Sequence, residues 1–134
     1  MKVSIVYATT TGNTEQMAGS ALEAAKTAGH EVTIATADIA DSAATLASDL
    51  ILLGSPAMGA EQLEDSMESF FSEIEASLSG KKLALFGSYD WGSGQWLSDW
   101  EERAKAAGAE VTGTVKAQLA PDETALEEMK KLIA

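Results

Sequence analysis

The stretch Val3-Ser4-Ile5-Val6-Tyr7-Ala8-Thr9-Thr10-Thr11-Gly12-Asn13-Thr14-Glu15 passes from an apolar, β-branched run, through a turn rich in hydroxyls, into a segment of helix formers that ends near Ala28. A strand that feeds a helix in this way is the opening of a β-α-β unit. The turn also points to a ligand. Thr9, Thr10, Thr11 and Thr14, the flexible Gly12 and a helix N-terminus with free N–H groups make a cradle of donors for a phosphate. No Lys or Arg lies between Lys2 and Lys26. An anion held here is therefore held by neutral hydrogen bonds and dipoles.

Outward from this unit, strands are expected over 2–7, 31–36, 49–54, 82–87 and 110–116. Helices are expected over 14–28, 61–78, 95–107 and 122–134, with a short one over 41–47. Strict alternation of β and α predicts an α/β fold, a doubly wound parallel sheet with helices on both faces. Ile51-Leu52-Leu53 and Leu83-Ala84-Leu85-Phe86 are almost continuously apolar, as central parallel strands are. Gly29, Gly80 and Gly108 each fall between a helix and the next strand, where a left-handed residue closes the helix.

The 134 residues form no repeat, no low-complexity stretch and no linker, so a single domain over 1–134 is expected. Cysteine is absent, which excludes disulfides and thiolate chemistry. The one histidine, His30, sits at a helix-to-strand turn as a solvated residue, and no metal site is expected. A net charge of −12 argues against nucleic acid and in favour of basic partners. The N-terminal run has a single lysine and too few apolar residues for a signal peptide, and nothing approaches membrane-spanning length. A cytoplasmic protein is expected.

In an open parallel sheet, ligands bind beyond the carboxyl ends of the strands. After the third strand comes Ser55-Pro56-Ala57-Met58-Gly59-Ala60-Glu61, and after the fourth comes Ser88-Tyr89-Asp90-Trp91-Gly92. An exposed Trp91 between Asp90 and Gly92 calls for a flat cover, and Met58 suits an adaptable lid on the same ring. Trp96 and Trp100 lie at helical spacing with Leu97 and read as core. The Thr-rich turn lacks the Gly-Lys-[Ser/Thr] of a nucleoside triphosphatase and the Gly-x-Gly-x-x-Gly of a dinucleotide site. A terminal monophosphate fits it better.

Taken together, these motifs resemble the short-chain flavodoxins, and the resemblance spans essentially the whole chain. Thr9–Thr14 resembles the family's phosphate loop, Pro56-Ala57-Met58-Gly59 with Glu61 its first flavin loop, and Gly87-Ser88-Tyr89-Asp90-Trp91-Gly92 its second. The resemblance implies a five-stranded sheet of order 2-1-3-4-5, a non-covalently bound FMN, and low-potential electron transfer between redox proteins. By the same resemblance, Thr9, Thr10, Thr11, Gly12, Asn13 and Thr14 surround the phosphate, with Ser55 and Ser88 along the ribityl chain. Trp91 and Met58 flank the ring, the Gly59–Ala60 peptide turns over on reduction, and Glu61 accepts from the flavin N3–H. Asp90 stands where relatives usually carry Gly, which raises the question of a side chain in a left-handed position.

The two flavin loops carry no Lys or Arg, while Glu61, Glu64, Asp65, Glu68, Asp90, Asp99, Glu101 and Glu102 lie in or near them. The fully reduced ring is anionic, so this field opposes the second electron. The same acids would meet basic-faced redox partners transiently, around a monomer that is an electron carrier rather than an enzyme. Two other readings stay open at this point: an FMN-dependent NAD(P)H or quinone reductase of the same architecture, and a flavodoxin-like activator dedicated to one partner enzyme.

Overall fold

The computed structural model describes residues 1–133. Five parallel strands, β1 (Lys2–Tyr7), β2 (Glu31–Thr36), β3 (Leu50–Gly54), β6 (Lys82–Tyr89) and β7 (Glu110–Gln118), form one sheet of order β2-β1-β3-β6-β7. Counting only these main strands, the order is 2-1-3-4-5. The remaining strands, β4 (Ala57–Met58) and β5 (Gln62–Leu63), make a separate antiparallel hairpin.

Period-two alternation sorts the core into two layers. Val3, Ile5, Leu50, Leu52, Ala84 and Phe86 pack on α1 (Asn13–Thr27) and α5 (Glu123–Lys131) through Met17, Ala21 and Met129. Val6, Ile51, Leu53, Leu83 and Leu85 pack on α3 (Asp65–Ile74) and α4 (Gln95–Ala106) through Phe71, Trp96 and Trp100. Both tryptophans belong to the core as expected, with Trp96 at 1% and Trp100 at 2% exposure. The short α2 (Ser42–Leu46) is capped by Asp41, whose carboxylate accepts from the N–H groups of Ala43 and Ala44. Gly29, Gly80 and Gly108 are left-handed, at φ 82°, 77° and 93°.

Three expectations need correction. The helix expected over 61–78 begins only at Asp65, because the chain first folds back as the β4–β5 hairpin. Glu61 is left-handed at φ 53°, which no helix tolerates, and Glu64 is extended with its carboxylate accepting from the N–H groups of Ser66 and Met67. The carboxylate of Glu64 thus caps the true start. The last turn of that segment is 3₁₀, over Glu75–Ser77. Strands β6 and β7 each run two residues past their expected ends, because the pairs Ser88↔Ala117 and Tyr89↔Gln118 continue the ladder. Ser88 and Tyr89 are therefore strand residues rather than loop residues. The final helix ends at Lys131, and its expected last residue, Ala134, lies outside the described residues.

Arg103 ties α4 to the preceding helix. Its Nε and Nη2 donate to the two oxygens of Glu75 at 2.9 and 3.0 Å, its Nη1 donates to Glu68 Oε1 at 2.9 Å, and its guanidinium lies 4.8 Å from the Phe71 ring centre. Hydrogen bonding to Arg103 holds the Glu68 carboxyl below its ordinary value. No described helix is long and apolar enough to cross a membrane.

Candidate functional site

The carboxyl ends of β1, β3 and β6 open into one cleft, and each contributes a segment with distinct chemistry. From β1 the chain enters the Thr turn. Gly12 is left-handed at φ 90°, its N–H donates to Thr9 Oγ1 at 3.0 Å, and α1 starts at Asn13 without any side chain capping its first turn. The leading N–H groups of α1 consequently face outward unserved, with the positive end of the helix dipole behind them. Thr14 is 1% exposed, and its Oγ1 has no hydrogen-bond partner. A buried hydroxyl without a partner is costly in a protein on its own. Beside the turn, the Tyr7 hydroxyl donates to Glu15 Oε2 at 3.0 Å, and burial first and Glu15 second raise the Tyr7 pKa.

From β3 the chain enters the hairpin. Ser55 is fully buried: its Oγ donates to the Pro56 carbonyl and accepts from the Glu64 N–H, both at 2.9 Å. The hydroxyl expected along a ribityl chain is thus spent in holding the loop to the start of α3, and Ser55 does not line the cleft. Gly59 opens the hairpin turn at φ 50° and Glu61 closes it at φ 53°. Glu61 is not among the residues lining the cleft, and its Oε1 accepts from the Gln95 N–H at 2.7 Å.

From β6 the chain enters the Asp90–Gly94 loop. Gly92 and Gly94 take the left-handed conformation at φ 94° and 85°, whereas Asp90 has a negative φ, so the suspected strain at Asp90 is absent. Its carbonyl accepts from Gln118 Nε2 at 3.4 Å. Lys116 Nζ donates to the Ser93 carbonyl at 3.4 Å, so a cation distant in sequence reaches a loop that holds none of its own. Trp91 is 67% exposed and Met58 38%.

The cleft gathers Thr10, Thr11 and Asn13 from the first segment, Pro56, Ala57, Met58 and Gly59 from the second, and Ser88, Tyr89, Asp90 and Trp91 from the third. Thr9, Gly12 and Thr14 shape the turn beneath it, while Ala60, Glu61 and Gly92 stand outside its wall. One lining residue is invisible to motif reading: Leu119, just beyond β7. Its only sequence signal is its place before Ala120-Pro121 at the end of the last strand.

These features fit a phosphate joined to a flat ring. The uncapped α1 N-terminus and the unpartnered Thr14 hydroxyl offer donors to an anion at one end, and two exposed apolar side chains stand at the other.

A family model described as Flavodoxin matches residues 5–131. The chain is similar to a flavodoxin of Megasphaera elsdenii, at 46% identity over 121 residues covering 90% of this chain and 88% of that protein. It is likewise similar to a flavodoxin of Clostridium beijerinckii, at 42% identity over 123 residues covering 90% and 89%. Among solved structures, that of two-electron reduced Megasphaera elsdenii flavodoxin superposes with a TM-score of 0.90 at 43% identity, covering 98% of this chain and 97% of that one.

Proposed function

The chain belongs to the flavodoxin family and is an electron carrier that works on bound FMN, and from that premise we propose how its residues hold the cofactor and meet partners. Thr10, Thr11, Asn13 and the first N–H groups of α1 bind the phosphate, with Thr9 and Gly12 setting the turn and the Thr14 hydroxyl gaining its missing partner. Trp91 and Met58 cover the two faces of the ring. Ser88 supports the wall rather than the ribityl chain, because its hydroxyl donates to the Leu119 carbonyl at 2.6 Å. Ser55 and Glu61 support the two loops from behind. The Gly59–Ala60 peptide, at the tip of the hairpin, is free to reorient because Gly59 carries no side chain.

FMN supplies the redox chemistry; the chain supplies stacking, hydrogen bonds and field. Exposed carboxylates at Asp65, Glu68, Asp90, Asp99 and Glu102 make the surface around the cleft acidic and suit it to basic-faced redox proteins in short-lived complexes. We infer a cytoplasmic, monomeric carrier formed by one domain.

The observation that carries this reading is the convergence in one cleft of an uncapped helix N-terminus and two exposed apolar side chains. Titration of the apoprotein with FMN tests it. One equivalent should quench the flavin fluorescence, and Trp91→Ala should weaken binding severalfold while leaving the fold intact. A protein that remains colourless in excess FMN would overturn the reading.

A further inference from the structure

Leu119 is held in a conformation that leucine rarely adopts, at φ 59°, and it is 53% exposed. Two hydrogen bonds hold its backbone in place. Its N–H donates to the Tyr89 carbonyl at 2.8 Å, and its carbonyl accepts from Ser88 Oγ at 2.6 Å. Both bonds belong to the main chain of residue 119, so Gly at this position would make them equally well and without strain. What leucine adds is its side chain. That side chain gains little from the fold, since half of it remains in water.

The distribution of exposed apolar residues gives it a purpose. Six large apolar side chains are exposed among the described residues, and three of them, Met58, Trp91 and Leu119, line the same cleft. We propose that Leu119 is a third apolar wall of the cofactor site, closing on the ring end of FMN, and that the left-handed backbone is retained because it aims this side chain. The inference rests on the FMN reading of the cleft.

Topology places the contact at the ring end. The phosphate turn follows β1, whereas Leu119 follows β7, and β3 and β6 lie between them. Three strand spacings put the two sites about 14 Å apart. Leu119 is also bonded to Ser88 and Tyr89, the residues that lead into the Asp90–Trp91 loop.

The test compares Leu119→Ala and Leu119→Gly with the parent chain through apoprotein melting and the affinities for FMN and for riboflavin, which lacks the phosphate. Removing an apolar contact of this size should weaken FMN binding by about five- to tenfold in both variants. Riboflavin should weaken by the same factor. In the apoprotein, Leu119→Gly should melt above Leu119→Ala, because Gly relieves the left-handed strain that Ala keeps. Unchanged affinity in both variants would overturn the proposal, as would a loss confined to FMN, which would assign Leu119 to the phosphate end. Apoproteins that melt far below the parent would show a packing role and overturn it too. A parent chain that bound neither flavin would instead defeat the FMN reading itself, so the two failures are distinguishable.

Discussion

Glu61 Oε1 accepts a hydrogen bond from the Gln95 N–H at 2.7 Å, and this single contact joins the turn of the β4–β5 hairpin to the N-terminus of α4. A carboxylate at a helix start is favoured both as an acceptor and by the helix dipole. The bond spans 34 residues and braces one loop of the cleft against the other. Glu61→Ala should lower apoprotein stability by about 1–2 kcal/mol in urea denaturation, and Glu61→Gln by less than half of that. Equal losses in the two variants would show that the hydrogen bond is not what holds the loops together.

Gly87 is the second tight point. A Cβ there would lie 2.0 Å from the Ser55 carbonyl oxygen and 2.8 Å from the Trp96 ring, whose Nε1 donates to that same carbonyl at 3.2 Å. Backbone on one side and a buried indole on the other leave no room to yield. Gly87→Ala should cost more than about 3 kcal/mol and weaken the near-UV circular dichroism of the tryptophans. A variant within about 1 kcal/mol of the parent would contradict this packing.

Asp90 lines the cleft and is exposed, with no cation bonded to its carboxylate among the described residues. One carboxylate about 10 Å from the ring, at an effective dielectric of roughly 20–80, costs ~0.4–1.7 kcal/mol when negative charge is added. Asp90→Asn should therefore raise the potential for the second electron by about 20–70 mV in a potentiometric titration. Lys116, which reaches Ser93, works in the opposite direction, so Lys116→Met should lower the same potential. A fall for Asp90→Asn would sink the field argument.

Partner encounter carries the same electrostatic signature. Electron transfer to a cationic haem protein, followed by stopped flow, should slow by about tenfold between 10 and 200 mM salt, because the Debye length shrinks from roughly 30 to below 8 Å. Rates independent of ionic strength would show that the acidic surface does not steer association.

Acid stability should report the contact between Glu68 and Arg103. The hydrogen bond from Arg103 holds the folded-state pKa of Glu68 below the ordinary value of 4.5. Its contribution is thus fully present above pH 4.5 and disappears as pH falls through the lower folded value. Both side chains are partly exposed, at 32% and 48%, which limits the contribution to about 1 kcal/mol or less. The stability difference between the parent and Glu68→Gln should be constant from pH 5.5 to 7 and should close toward pH 3. A difference that widens in acid would reverse the assignment.

The Thr9–Thr14 turn, the aromatic and thioether positions Trp91 and Met58, and the apolar runs Ile51-Leu52-Leu53 and Leu83-Ala84-Leu85-Phe86 that become central strands were all legible in the chain, whereas the layer each of those residues joins was not. Such features depend on neighbours within a few residues, where periodicity, turn chemistry and helix ends operate. The left-handed glycines at 29, 80 and 108 belong to the same class. The hairpin at 57–63 was not legible, because its sequence is equally compatible with an early start of α3 until Glu61 finds Gln95 and Glu64 caps Asp65.

What the sequence by itself determined is the order of strands and helices, the chemistry of the loops at the strand ends and the acidity around them. Tertiary structure alone decided which of those groups face the cleft. Ser55 turns its hydroxyl to Glu64, Lys116 crosses to Ser93, and Leu119 enters the wall from the far strand. The reason is physical: Lys116 and Leu119 are placed by hydrogen bonds to segments 23 and 31 residues away, which only the packed sheet brings within reach, and Ser55 is placed by the fold-back of the hairpin onto Glu64.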